Sequence, residues 1–211
     1  MGNWKSVFLK IILIQIPEQC DIKSEAFKAG YKNICEIAKE RIRRAGDKIK
    51  EESGNEDLDV GFKVFKLDSS NYEKWDPDVD DLEQSLLVQK DNIKEDRAEE
   101  DLVYEVMLKY GIDLTAPVET VSSDNGSFYS VGFGSLIICL DSSITKELAE
   151  DIVNYKDGLG SVSTRVVCRD QSFESDSDKT NIKEIFRINN IEEFITIWGD
   201  LNVRDTNRRG K

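Results

Sequence analysis

A chain of 211 residues with 39% hydrophobic content holds one large or two small domains around a core of modest size. Its 42 acidic against 29 basic residues give a net charge of −13, a field that repels a phosphate backbone, so any DNA contact must be local. Histidine is absent and the four cysteines, Cys20, Cys35, Cys139 and Cys168, are widely scattered, which excludes a Cys/His zinc site and removes the usual general base.

In chain order, residues 7–16 form an apolar run with the look of a signal peptide. Lys10 interrupts it, no small-x-small cleavage site precedes Pro17-Glu18, and it falls short of the roughly 20 apolar residues that span a bilayer. A soluble chain is expected, without membrane contact, and thiols inside apolar runs fit a reducing cytoplasm. Lys10–Ile16 is a β-branched and aliphatic run ended by Pro17, which predicts a strand buried on both faces of a parallel sheet. From Ser24, a candidate N-cap, Phe27, Tyr31, Ile34, Ile37, Ile42, Ala45 and Ile49 recur at helical spacing and predict one long amphipathic helix, with a break at Gly46 left open. Glu51–Asp59 is acidic, lacks an apolar period and reads as a loop and domain boundary.

Gly61–Leu67 alternates apolar and charged residues, predicting a strand that leads into the turn residues Asp68-Ser-Ser-Asn71. Asp80–Ile93 and Arg97–Tyr110 carry helical periodicity, the second stopped by Gly111. Pro117–Val121 and Ser127–Val131 flank a Ser-Asp-Asn-Gly turn at 123–126 and predict a hairpin, with Ser135–Leu140 as a third strand. Helix at Ile144–Tyr155 behind Ser142 and Ser143, strand at Ser163–Cys168, helix at Asp178–Ile188 and strand at Glu193–Trp198 then imply a parallel βαβαβ unit. The tail from Asp200 is expected to fray.

Gly61-Phe-Lys-Val-Phe-Lys-Leu-Asp-Ser-Ser-Asn71, Trp75-Asp76 and Asn92-Ile-Lys-Glu-Asp-Arg-Ala-Glu-Glu-Asp-Leu102 together resemble the carboxy-terminal part of the modification (Mod) subunit of type III restriction–modification systems, a family of adenine-N6 DNA methyltransferases. The resemblance covers nearly the whole chain, because Ile12-Leu-Ile-Gln-Ile-Pro-Glu18, Lys23-Ser-Glu-Ala-Phe-Lys-Ala-Gly-Tyr31 and Lys39-Glu-Arg-Ile-Arg-Arg-Ala-Gly46 are similar to segments upstream in that family. It implies methyl transfer from S-adenosylmethionine to adenine in DNA by the intact protein, which would assemble as a Mod homodimer with a restriction (Res) subunit. The family's Asp-Pro-Pro-Tyr-type box and Phe-x-Gly-x-Gly loop are absent from this sequence. Residues 1–9 depart from the family pattern where the glycine loop should end, so a truncated or frameshifted gene is the expectation. The fold expected is α/β. Residues 1–60 would be the residual end of a methyltransferase domain, one strand and a long helix. Residues 61–199 would be an α/β module with a mixed sheet, and 200–211 a tail.

The resemblance also implies that Lys10–Ile16 matches the second strand of the methyltransferase sheet. Glu18, or failing it Gln15, would then stand where a strand end meets the ribose of the cofactor; a solvated strand end is the alternative. Asp76-Pro77-Asp78 lacks the second proline and the stacking ring of the catalytic box and reads as a turn. Gly132-Phe-Gly134, between two strands, offers no helix N-terminus to an anion and reads as a bulge or tight turn. Arg169-Asp170 and Asp178-Lys-Thr-Asn181 fall at the carboxyl edge of the parallel unit, either as a ligand site or as an Asp178 N-cap with Asp170 in an ion pair. Lys39–Lys50 is the densest basic run, a phosphate track or a solvated helix face. No catalytic residue, no metal and no tightly bound cofactor are expected of the chain itself, and its DNA binding should be weak.

Overall fold

A computed structural model describes residues 11–72, 93–94, 96–160, 163–191 and 193–197. The chain separates into two compact units, Met1–Phe65 and Lys66–Lys211.

In the first unit the expected long helix is two. Helix α1 (Glu25–Lys28) starts at Ser24, whose side chain accepts from the Phe27 N–H, and ends at Ala29, followed by Gly30 with φ 99°. Asn33 then caps α2 (Ile34–Ser53) by accepting from the Glu36 N–H, while the Glu36 carboxylate accepts from the Lys32 N–H. The apolar period runs through the interruption, but the Asn33 cap, with Glu36 reaching back to the Lys32 N–H, restarts the helix. Gly46 does not break α2. It lies buried within it, and a Cβ there would stand 3.0 Å from Cβ of Val60. The missing side chain lets the segment after α2 lie directly on the helix, with the Arg43 guanidinium 5.8 Å over the Phe62 ring.

Neither predicted strand of this region forms. Residues 11–18 form no strand, and Ile11, Ile12, Leu13, Ile14 and Ile16 are 65–93% exposed. Residues 60–68 likewise carry no strand, with Leu67 at 99% exposure. Both have the composition of strands, but a strand exists only where a neighbouring strand supplies its ladder, and among the described residues no strand lies beside either one.

The second unit carries a five-stranded mixed sheet in the order β1-β2-β3-β4-β5. Strands β1 (Val118–Ser123) and β2 (Gly126–Val131) form the expected hairpin, and β3 (Leu136–Cys139) adds antiparallel to β2. Strands β4 (Arg165–Arg169) and β5 (Glu193–Ile197) then add in parallel, across α4 (Lys146–Leu159) and α5 (Asp176–Ile188), so the βαβαβ unit is present. Helix α3 (Glu99–Lys109) precedes the sheet. The predicted helix Asp80–Ile93 lies outside the described residues, apart from Ile93, which bridges to Tyr72.

Alternation along the central strands feeds two cores. On one face Phe128, Ile137, Cys139, Val166 and Cys168 pack against Leu148 and Ile152 of α4 and Ile182 and Phe186 of α5. On the other Tyr129, Val131, Leu136, Ile138 and Val167 pack against Leu102, Val103, Val106 and Met107 of α3. Covered on both faces, β3 reads Leu-Ile-Ile-Cys without a polar residue. Each large side chain sealed here contributes roughly 1.5–3 kcal/mol.

Candidate functional site

The densest polar constellation lies where the two most informative sequence motifs meet. Turn residues 68–72 run past the side of α3, and Glu105, on the second turn of that helix, reaches them. Its Oε1 accepts from the Ser70 hydroxyl (2.7 Å), and Oε2 accepts from the Asn71 N–H (2.9 Å) and from Asn71 Nδ2 (2.7 Å). Asn71 Nδ2 also donates to the Asp101 carbonyl (2.9 Å), and Lys109 Nζ stands 3.2 Å from Glu105 Oε1. Burial works against the charge on Glu105. The bonds from Asn71, Ser70 and Lys109 outweigh it and hold the carboxyl below its ordinary value.

The 93–97 segment closes the other side. Lys94 Nζ donates to Ser69 Oγ and to the Ser70 carbonyl, both at 2.7 Å, and Arg97 NH1 lies 3.3 Å from Asp68 Oδ2. The Ser69 N–H, then Arg97, lowers the Asp68 pKa. Tyr72 is 4% exposed beneath this turn, and its hydroxyl has no hydrogen-bond partner among the described residues; burial and then the Glu105 charge push its pKa up. Arg97 Nε is likewise buried without a hydrogen-bond partner among the described residues, but the carboxylates, hydroxyls and ammonium named in the knot are engaged by neighbours, so the arrangement fixes a loop on a helix.

The carboxyl edge of the parallel strands is closed in the same manner. Asp170 pairs with Lys179, Ser172 Oγ donates to the Asp141 carbonyl (2.5 Å), and Arg169 NH1 reaches the Leu140 carbonyl at 3.4 Å. Asp178 is not the N-cap of α5. Ser175 is, accepting from the Asp178 N–H at 3.1 Å, because the cap must precede the first turn. Both crossovers step in one direction along the sheet, so the strand order never reverses and the crevice that binds ligands at such a reversal does not arise within β3-β4-β5.

The remaining candidates stand apart. Glu18 is exposed beside the isolated Gln19–Asn33 bridge; its carbonyl accepts from the Ile34 N–H, and no strand end presents it. Gln15 Nε2 turns back to the Ile16 carbonyl. Gly132, Phe133 and Gly134 take φ of 58°, 57° and 80° in the β2–β3 loop, a tight turn between antiparallel strands. Helix α2 carries Lys39, Arg41, Arg43, Arg44, Lys48 and Lys50, but also Glu36, Glu40, Asp47, Glu51 and Glu52, a net of one positive charge. Glu40 faces both Arg43 and Arg44, and Lys48 pairs with Glu52, so acidic partners within the helix offset part of the basic run. Asp76-Pro77-Asp78 lies outside the described residues. Among the described residues no group of His, Cys, Asp and Glu is placed to hold a metal ion, and no helix is long and apolar enough to cross a membrane.

Sequence reasoning missed Glu105 and Lys156. Lys156 is 5% exposed on α4 and donates to the Asn189 carbonyl at 2.7 Å, tying α4 to the end of α5. Its position among the apolar residues of α4, one turn past Ile152, is the signal that marks it as inward-facing. No family model matches the chain, and no curated protein matches it.

Proposed function

We propose that this chain is the carboxy-terminal part of a type III restriction–modification DNA adenine-N6 methyltransferase and that it serves assembly, not methyl transfer. The observation that carries the reading is the Ile11–Ile16 segment. Five aliphatic side chains in six positions are exposed, with no strand beside them among the described residues. Apolar on both faces, this run suits the interior of a parallel sheet covered by helices, which is the place the family resemblance gives it. Glu18 would reach a cofactor ribose only once that sheet surrounds it. S-adenosylmethionine, DNA, a second Mod subunit and the Res subunit are partners of the intact enzyme on this reading.

The rival is a non-enzymatic interaction module, favoured by the closed two-sided core of the second unit. Complementation separates the two. The chain is mixed with an amino-terminal polypeptide that carries the glycine loop and adenine box of a type III Mod subunit. Methylation of adenine, dependent on both pieces and lost on Ile14→Asp, supports the proposal. Failure of the pieces to associate, or labelled methyl transfer by the chain alone, overturns it.

A further inference from the structure

The tip of the β1–β2 hairpin is fastened to α4 through one side chain. Ser123 pairs with Gly126, leaving Asp124 and Asn125 as a two-residue loop, and Asn125 Nδ2 donates to Asp151 Oδ2 at 2.9 Å. The loop is drawn tight by Ser123 Oγ, which donates to the Gly126 carbonyl (3.2 Å) and accepts from the Asn125 N–H (3.3 Å). Gly126 takes φ 145° and sits so close to the fold that a Cβ would stand 2.7 Å from Asp141 Oδ2 and 3.0 Å from Cδ2 of Leu148. A side chain there would have to displace Asp141 and Leu148 at a strained φ, and its absence has a chemical consequence: nothing on Gly126 shields its backbone nitrogen from the Asn125 side chain. Of twelve asparagines in the chain, Asn125 is the only one followed by glycine. The others precede Trp, Ile, Glu, Tyr, Asn, Val or Arg.

We propose that Asn125 is a site of spontaneous covalent modification, deamidation to aspartate and isoaspartate, held in check by its bond to Asp151. The Gly126 nitrogen loses its proton to solvent base and attacks Cγ of Asn125. The new C–N bond forms as Cγ–Nδ2 breaks, and the leaving nitrogen departs as ammonia. Water then opens the five-membered imide at either carbonyl, so the net change is amide plus water to carboxylic acid plus ammonia, with no redox step. While Asp151 holds Nδ2, the side chain is kept from turning onto the backbone nitrogen, so reaction waits on release of the clasp. Conversion makes the release permanent. A carboxylate at 125 faces the Asp151 carboxylate, and isoaspartate also adds a methylene to the main chain within the tight loop. Asn125 and then Ser123 now hold Asp151 below its ordinary pKa; conversion removes the Asn125 donor, and two carboxylates, both ionised at neutral pH, then face each other.

The full chain is aged in warm, mildly alkaline buffer, with and without denaturing urea, and followed by mass spectrometry. The tryptic peptide Tyr110–Lys146 reports directly, since Asn125 is its only asparagine. The expected result is acid and isoaspartate in this peptide ahead of peptides carrying the other asparagines. The folded chain should convert about fivefold more slowly than the chain in urea, the factor one net hydrogen bond supplies. Asp151→Ala, checked for folding by circular dichroism, should close most of that gap. An Asn125 peptide that stays unchanged in the folded chain overturns the assignment of the site; equal rates in the folded and urea-treated chain overturn the role of the clasp.

Discussion

Glu105 gathers a backbone N–H, a side-chain amide, a hydroxyl and an ammonium onto one carboxylate whose side chain is 14% exposed. Such a group stabilises the fold only while charged. Its folded pKa lies below the unfolded one, so the contribution is complete above the ordinary glutamate range and disappears as the pH falls through the lowered value. Glu105→Gln keeps the shape but turns one acceptor oxygen into a donor facing the Asn71 amide or the Ser70 hydroxyl. A loss of about 1.5–3 kcal/mol at neutral pH is expected, with a flatter decline in acid, both read from urea unfolding across pH. A variant as stable as the parent, with an unchanged acid profile, would refute this account of the knot. The thiols make a second prediction at the same scale. Cys139 and Cys168 are directly opposed on β3 and β4 and fully buried, and burial pushes the Cys168 thiol up, whereas Cys20 and Cys35 are half-exposed. A thiol reagent should therefore label Cys20 and Cys35 in the folded chain and reach Cys139 and Cys168 only on unfolding; uniform labelling would contradict the sealed core.

Among the elements, α2 and the segment lying on it depend on the hydrogen at Gly46. Leucine there gains roughly 0.8 kcal/mol of helix propensity but drives side-chain atoms into Val60, so one change should strengthen the helix and expel its neighbour. Gly46→Leu is expected to lower hydrogen-exchange protection at residues 58–62 while helical circular dichroism is kept; undiminished protection there would show that the close approach is not needed. The same helix shows what a single sequence carries. Its start was written at Gly30 and in Asn33–Glu36, but the apolar period crosses the break and hides it. The strands β2 to β5 were legible because their apolar runs find partners and covering helices within this chain. Lys10–Ile16 has the same pattern, and the partners that would make it a strand are not among the described residues. The Asp68–Asn71 turn was legible from its residue types. Its receiver was not, because a carboxylate 34 positions further on answers to no local period.

At the scale of the whole molecule, the −13 charge and the salt-laced face of α2 predict duplex binding that is weak and lost in moderate salt; tight, salt-resistant binding would contradict it. The second unit has the closed core, so residues 66–211 are expected to fold alone. Their self-association, as the Mod resemblance implies, needs an open surface. Helix α3 is a poor candidate, since Leu102, Val103, Val106 and Met107 are turned into the sheet and only Leu108 is an exposed large apolar residue, at 62%. Strand β5 is a better one. Among the described residues it ends the sheet; it reads Glu-Phe-Ile-Thr-Ile, is half-exposed over its first four residues, and carries neither the lysine nor the proline that usually blunts an edge. An antiparallel pair about a two-fold axis at Ile195 would set Phe194 against Thr196 and Glu193 against Ile197, with no like charges directly opposed. Sedimentation of residues 66–211 should therefore show a dimer, and Thr196→Lys, which places a charge on that edge, should give a folded monomer. A parent that stays monomeric at high concentration refutes the self-association, a dimer unaffected by Thr196→Lys moves the seam elsewhere, and a polypeptide that does not fold refutes the independence of the unit.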